Sequence, residues 1–151
     1  MKTIFHPSAR FLVALIFLLS GVGKSFGFGA TAAMMSAVGF PAPSVFLAGA
    51  IAIEIVAGAG LLLGFKTRYA AFALIVFLIP ATLIFHVPGL SDPVQGQEQM
   101  INTLKNLAII GALLKFAADG AGNFSLDNLF EKRNTAESNR FKAEKAEIVS
   151  F

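Results

Sequence analysis

The sequence contains no cysteine and no tryptophan, and it has only two histidines and one tyrosine. Without cysteine, the chain cannot form disulfides, thiolate metal sites or a dithiol relay. The two imidazoles, His6 and His86, belong to no spacing that is typical of a metal site, so we expect no bound metal. Charge is also scarce, because only 14% of the 151 residues are charged, against about a quarter in an average soluble domain.

The charges that are present do not indicate a nucleic-acid partner. The formal net charge is +3, and the basic residues are scattered along the chain instead of forming a stripe. Apolar residues are abundant, at 56% of the chain. This composition is typical of a membrane protein, whose main partner is the lipid bilayer, and the length predicts one membrane domain.

Four apolar segments are long enough to cross a bilayer as helices, which takes about 20 residues. They cover residues 10–27, 43–64, 69–87 and 100–118. A secretory signal is an alternative for the first segment, because a basic start and an apolar stretch precede small residues at positions 30–32. Lys24 lies between the apolar stretch and any cleavage site, which favours a permanent helix. We therefore predict an all-α, integral membrane four-helix bundle.

Basic residues near the ends of the predicted spans indicate the orientation. They lie before the first span, in the link between the second and third, and after the fourth: Lys2, Arg10, Lys66, Arg68, Lys132 and Arg133. The loop at residues 88–99 carries Asp92 and Glu98 but no lysine or arginine. The positive-inside rule then predicts that both termini are cytoplasmic.

The segment "ATAAMMSAVGFPAP" between the first and second spans predicts a short helix that is too short to cross the membrane. Thr31 is the expected N-cap, Gly39 can end the helix in the left-handed conformation, and Pro41 prevents its continuation. A helix resting on the outer interface is the first interpretation. A lid over a cavity is the alternative.

The tail has a different composition from the rest of the chain. Ser125 can cap a short helix that begins with Leu126 and Asp127. From Glu131 onward, acidic and basic residues alternate with few apolar anchors, which predicts a solvated and partly disordered segment. We divide the chain into a membrane domain at residues 1–127 and a charged, flexible cytoplasmic tail at residues 128–151, which alternatively docks a cytoplasmic partner.

Glu54 is the only charge in the apolar run "AGAIAIEIVAGAGLLLG". It lies about ten residues from either end of its predicted span, which places it about 15 Å from each interface. An ionised carboxylate at this depth costs on the order of 3 kcal/mol. We therefore expect Glu54 to face the protein interior and to be paired, hydrated or protonated.

Polar residues of the other three spans fall in the outer half of the membrane by the same measure of depth. They are Ser20, Lys24, Thr82, His86, Asn102, Lys105 and Asn106. The last three share one helix face because they are spaced i, i+3, i+4. We predict a polar cavity open to the outer face, with Glu54 at its floor. The alternatives are a Lys24 side chain that reaches the headgroups, a His86 that only anchors a helix end, and a Glu54–Lys105 ion pair that only fixes helix register.

Several of these segments together resemble the DoxX family of small four-helix bacterial membrane proteins. They are "LLSGVGKSF", "MMSAVGFPAP", "IEIVAGAGLLLGFKTRYAA", "IPATLIFH", "QMINTLKNLAIIGALL" and "GAGNFSLD", and they span residues 10–127. The resemblance implies a multi-pass protein of the bacterial inner membrane. It singles out Lys24, Glu54, Arg68, His86 and the Asn102, Lys105 and Asn106 cluster.

The family resemblance also implies a redox role, because the family name comes from a membrane subunit of a thiosulfate:quinone oxidoreductase. The leading hypothesis is that the chain contributes a quinone or small-ligand site to a membrane redox complex, with a redox partner protein and with Glu54 as the proton-titrating centre. A small transporter or channel, with Arg68 as an inner gate, and a structural scaffold without ligand are the alternatives. Whether the chain is an enzyme stays open.

Overall fold

The computed structural model describes the backbone of residues 2–149 and the side chains of residues 5–142 and of Lys145. Within this part the chain is all-α and has no strand, as predicted. A 3-10 helix at Val87–Ser91 accompanies six α-helices, which are α1 (Lys2–Phe26), α2 (Phe28–Ala37), α3 (Pro43–Leu63), α4 (Thr67–Phe85), α5 (Gly96–Asp119) and α6 (Leu126–Val149).

Four of these helices are long and apolar enough to cross a membrane, which confirms the four predicted spans. The spanning stretches are Phe5–Phe26, Pro43–Leu63, Thr67–Ser91 and Gly96–Asp119. The first and last begin several residues earlier than the sequence predicts. The apolar pattern marks only the part of a helix inside hydrocarbon, whereas backbone hydrogen bonding can carry a helix beyond it.

The spanning helices pack in chain order, α1 against α3, α3 against α4 and α4 against α5. Helices α1 and α5 touch only weakly. The seam between α1 and α3 is close because it contains Gly21 and Gly58. A Cβ atom on Gly21 would lie 2.9 Å from Ile55 Cγ1, and one on Gly58 would lie 3.2 Å from Leu18 Cδ2. Such close approach of helices in membranes is typical of small residues.

Helix α2 lies where the sequence predicts a short helix, and it packs mainly on α3. The predicted N-cap is wrong, because the helix already begins at Phe28 after Gly27. The hydroxyl of Thr31 donates backward to the Gly27 carbonyl at 3.0 Å, so it bonds within the helix instead of capping it. Gly39 has a φ of 73°, which confirms the predicted left-handed end of the helix.

The link between α3 and α4 is held by a residue distant in sequence, Asp127. One carboxylate oxygen, Oδ1, accepts the backbone N–H of Lys66 at 2.6 Å, and Oδ2 accepts that of Thr67 at 3.0 Å. The Asp127 N–H donates in return to the Gly64 carbonyl at 2.9 Å. Asp127 therefore supplies the N-terminal cap of α4 that the local sequence lacks. We call this end of the helices, with the Lys66–Arg68 link, the basic end.

Arg10 also lies at the basic end, but it is buried and only 2% exposed. Its Nη2 donates to the Phe124 carbonyl, and Nε and Nη1 have no hydrogen-bond partner. The sequence predicts Arg10 as an ordinary basic residue beside the first span. The helix instead begins before it, and the chain after α5 folds back over its guanidinium.

Helix α6 begins at Leu126, as predicted, and Ser125 Oγ accepts the Asn128 N–H at 3.2 Å. The sequence predicts a short helix followed by a partly disordered segment, whereas the helix continues to Val149. Every side chain from residue 131 to residue 142 is exposed, in agreement with a solvated tail. The Arg133–Glu137 pair, four residues apart, supports the helix there. The division into two domains stays a prediction.

Replacing Asp127 should loosen the basic end. We expect Asp127→Ala to lower the free energy of unfolding by about 1 kcal/mol or more, because two backbone N–H groups at the start of α4 lose their acceptor. Thermal unfolding of the full chain in detergent, followed by circular dichroism, measures this. The matched control is Glu137→Ala, which removes only an exposed ion pair and should change stability little. Equal effects of both variants would contradict the capping role.

Candidate functional site

Glu54 faces the protein interior and is only 3% exposed. Lys24 on α1 reaches it from the neighbouring helix, with Nζ 2.7 Å from Oε1 and 2.8 Å from Oε2. The Lys24 side chain is itself 30% exposed. The pair therefore connects a buried carboxylate to the surface of the helix assembly through a single ammonium group.

Ser20 completes the network around Glu54. Its hydroxyl donates to Glu54 Oε1 at 3.0 Å and accepts from Lys24 Nζ at 2.6 Å. A lysine ammonium has three N–H donors, and here they point to Ser20 Oγ and to both oxygens of Glu54. We call these three residues the Lys24–Glu54 network.

The partner of Glu54 follows from the relative heights of the helices. Gly21 on α1 packs directly against Glu54, since a Cβ on it would lie 3.2 Å from the Glu54 Cβ. Glu54 is thus level with a residue near the end of α1, although it lies in the middle of α3. Helices α1 and α3 are therefore staggered along their axes. Depth estimated from sequence is counted from the end of each helix separately, so it cannot reveal such an offset between two helices.

Thr82 and Asn106 form a second polar group between α4 and α5, and both are buried. Asn106 Nδ2 donates to Thr82 Oγ1 at 2.9 Å, and Thr82 Oγ1 donates to the Leu78 carbonyl one turn earlier at 2.7 Å. These bonds satisfy polar atoms that would otherwise be costly to bury in hydrocarbon. They tie the two helices together.

His86 lies just after the end of α4, and its Nδ1 is 2.8 Å from Gln99 Oε1. Gln99 was not predicted as a site residue, because it precedes the predicted fourth span. The early start of α5 places it opposite the histidine. In the intervening loop, Asp92 accepts the backbone N–H groups of Gln95 and Val94, which lower the pKa of its carboxyl group. This end of the α4–α5 hairpin is held by hydrogen bonds.

Lys105 does not approach Glu54. Its Nζ donates to Asn102 Oδ1 at 2.9 Å, and its side chain is on the exposed face of α5. Because the ammonium has three N–H donors, two are left after this bond. The Glu54–Lys105 ion pair considered from the sequence is therefore absent, since Lys24 occupies both carboxylate oxygens.

The polar residues that the sequence predicts for the outer half thus form four separate groups, and no hydrogen bond joins one group to another in the described part of the chain. Arg68 lies far from all of them, at the basic end, where it lines an open cleft of about 470 Å³. The residues described here include no group of three or more histidine, aspartate or glutamate side chains that could hold a metal ion. The geometry instead offers hydrogen-bond donors and an ion pair between a buried carboxylate and a partly exposed lysine.

Four spanning helices with an ion pair between two of them define a multi-pass integral membrane protein. The family model named DoxX matches residues 7–87 of the sequence. The chain belongs to the DoxX family. This confirms the resemblance seen in the sequence motifs.

Curated relatives extend the similarity beyond that stretch. The inner membrane protein YphA of Escherichia coli (strain K12) is 36% identical over 79% of this chain and 85% of its own length. The inner membrane protein YqjF of the same organism is 33% identical over 83% of this chain and 91% of its own. The uncharacterized membrane protein Rv3486 of Mycobacterium tuberculosis is 31% identical over 84% of this chain and 82% of its own length. No solved structure matches this chain.

The Lys24–Glu54 network should show strong coupling in a double-mutant cycle. Lys24→Met leaves a buried carboxylate without its cation, so we expect the free energy of unfolding to fall by about 2 kcal/mol. This is less than the full effect of breaking a buried pair, because Lys24 is partly exposed. Adding Glu54→Gln should recover part of that loss. Unfolding in detergent measures all variants, and the exposed Lys105→Met is the control. Additive effects of the two substitutions would contradict the coupling.

Proposed function

We propose that this protein contributes a small-ligand site to a membrane redox complex of the bacterial inner membrane, with the Lys24–Glu54 network as its titratable centre. One observation carries the proposal: a membrane-spanning helix holds a buried carboxylate that is paired with a partly exposed lysine. Ionisable residues inside a membrane are costly and are functional-site candidates by default. The chain retains two of them on facing helices.

Protonation of Glu54 changes what Lys24 can bind. While the carboxylate is ionised, all three ammonium N–H groups are occupied by Ser20 and Glu54. A proton on Oε1 or Oε2 removes the negative charge and weakens the hold on the ammonium. Lys24 can then donate to an acceptor on a ligand, so ligand binding and proton uptake are coupled at this network.

A quinone is the ligand class that fits these donors. Its two carbonyl oxygens accept hydrogen bonds, and its apolar tail is soluble in the bilayer. Lys24 is the donor next to the titratable group, and Lys105 with Asn102 offers further donors on the outward face of α5. A bound quinone supplies two-electron redox chemistry. The electrons would come from a partner protein, because a chain without cysteine cannot run a sulfur relay.

A structural scaffold is the second candidate, and a specific observation favours it. Every N–H of Lys24 already has an acceptor within the protein. A network satisfied in this way can fix the register of α1 against α3 without any ligand. In that case, substitutions in the network change stability and affect no ligand.

Quinone binding to the purified full chain tests the proposal. We expect decylubiquinone to bind the protein in detergent and Lys24→Met to weaken binding about tenfold, the effect of losing one charged hydrogen bond. Glu54→Gln should abolish the pH dependence of binding. The matched control Lys115→Met changes an exposed lysine at the basic end and should bind like the unmodified chain.

Two results would overturn this function. Absence of decylubiquinone binding in the folded, unmodified chain would favour the scaffold. Solute flux through proteoliposomes that Glu54→Gln abolishes, without decylubiquinone binding, would favour the transporter or channel instead. Circular dichroism of each variant establishes that it is folded.

We also propose that both termini are cytoplasmic, because the loops at the basic end carry the lysine and arginine residues. The absence of cysteine makes this directly testable. Cysteine at the exposed position Ser36, in α2, should react with a membrane-impermeant maleimide in intact spheroplasts. Cysteine at the exposed position Ser138, in α6, should react only after lysis. The reverse pattern would invert the proposed orientation.

A further inference from the structure

We propose that the cleft at the basic end binds the phosphate-bearing headgroup of a membrane phospholipid. The cleft has a volume of about 470 Å³ and lies between the start of α4, the loop that follows α5 and the first turns of α6. Because α4 begins and α5 ends here, the cleft opens at the boundary between membrane and water. The proposal does not depend on a ligand at the Lys24–Glu54 network.

Two of the carboxylates that line the cleft are already occupied. Asp127 accepts the backbone N–H groups of Lys66 and Thr67. Asp119 is paired with Lys115, one turn earlier on α5. Their negative charges are therefore largely compensated within the protein and do little to repel an anionic ligand.

The remaining charged side chains of the cleft are Lys66, Arg68 and Glu131. None of the three forms an ion pair with a described residue. The exposed guanidinium of Arg68 can bind two oxygens of a phosphate in a fork geometry, and Lys66 adds a second positive charge. Glu131 can accept the ammonium of a headgroup. These three charges thus favour a zwitterionic phosphoethanolamine group, with its phosphate at Arg68.

An unsatisfied hydroxyl supports a ligand at the same place. Thr67 lines the cleft and is fully buried, yet its Oγ1 has no hydrogen-bond partner. Buried polar atoms without a partner are rare in native proteins. A phosphate oxygen bound at Arg68, the next residue, would give this hydroxyl an acceptor.

The opposite wall of the cleft contains two glycines in a conformation that other residues rarely adopt. Gly120 and Gly122 both have positive φ, at 81° and 75°. A Cβ on Gly120 would lie 3.4 Å from Arg68 Nε. The absence of a side chain at Gly120 therefore leaves space beside the Arg68 guanidinium, whereas Gly122 lies against His6.

The aromatic side chains at this end favour a lipid over a free phosphate. Tyr69, beside Arg68, lines the cleft and is 77% exposed, and Phe65 is partly exposed on the other side of the link. Tyrosine at such a position is typical of the headgroup level of a membrane. Acyl chains of a lipid held at Arg68 would run along the apolar surface of the spanning helices.

Lipid binding to the full chain tests the proposal. After delipidation in detergent, native mass spectrometry with added dioleoylphosphatidylethanolamine should detect a bound lipid. We expect Arg68→Gln to reduce the affinity for this lipid about tenfold and Thr67→Val to reduce it less. Glu131→Gln removes the acceptor for the headgroup ammonium, so it should lower the affinity for dioleoylphosphatidylethanolamine more than the affinity for dioleoylphosphatidylglycerol. The matched control is Arg140→Gln, an exposed arginine of α6 outside the cleft.

Glycerol phosphate serves as the soluble arm of the same experiment. Tight binding of glycerol phosphate without lipid binding would overturn the proposal in favour of a soluble phosphate compound. Equal lipid binding by Arg68→Gln and Arg140→Gln would overturn it by removing the site. Unfolding curves of Arg68→Gln and Thr67→Val check that the variants are folded, and Arg68→Lys should retain part of the affinity because it keeps the charge.

Discussion

The structure depends above all on the cost of a carboxylate inside a membrane. Glu54 is almost completely buried, so the helix that carries it must present its charge to a donor on another helix. Lys24 and Ser20 meet that requirement together, and they fix the rotation of α1 and its height against α3. The glycines of the same seam allow the helices to approach closely enough for these bonds. The electrostatic requirement and the packing therefore agree at one interface.

A second charged arrangement organises the basic end by a different principle. There, Asp127 and Arg10 act on backbone groups, since Asp127 holds the N–H groups of the α3–α4 link and Arg10 holds the Phe124 carbonyl. Charged side chains take the place of local capping residues, and they join three parts of the chain that are far apart in sequence. An ion pair between side chains thus joins two helices inside the membrane, whereas contacts between side chains and backbone hold the chain together at the basic end.

The membrane spans and the inward orientation of Glu54 could be predicted, because they depend on apolar length and on desolvation, which are properties of single segments. Lys24 was one of several candidate partners of Glu54, and the sequence alone could not select it. The pairing depends on the stagger of α1 and α3, which places Gly21 of α1 directly against Glu54. For the same reason, Gln99 and the burial of Arg10 escaped the sequence analysis. Both depend on where helices end relative to their neighbours, and composition does not encode this.

The order in which the helices pack has a consequence for biogenesis. Each spanning helix after the first packs against the span that precedes it along the chain, so the assembly can grow by adding one span at a time as the ribosome delivers it. Asp127 follows all four spans and binds the link between α3 and α4. That closure can form only once the whole membrane domain has been synthesised, which makes it a late step in maturation.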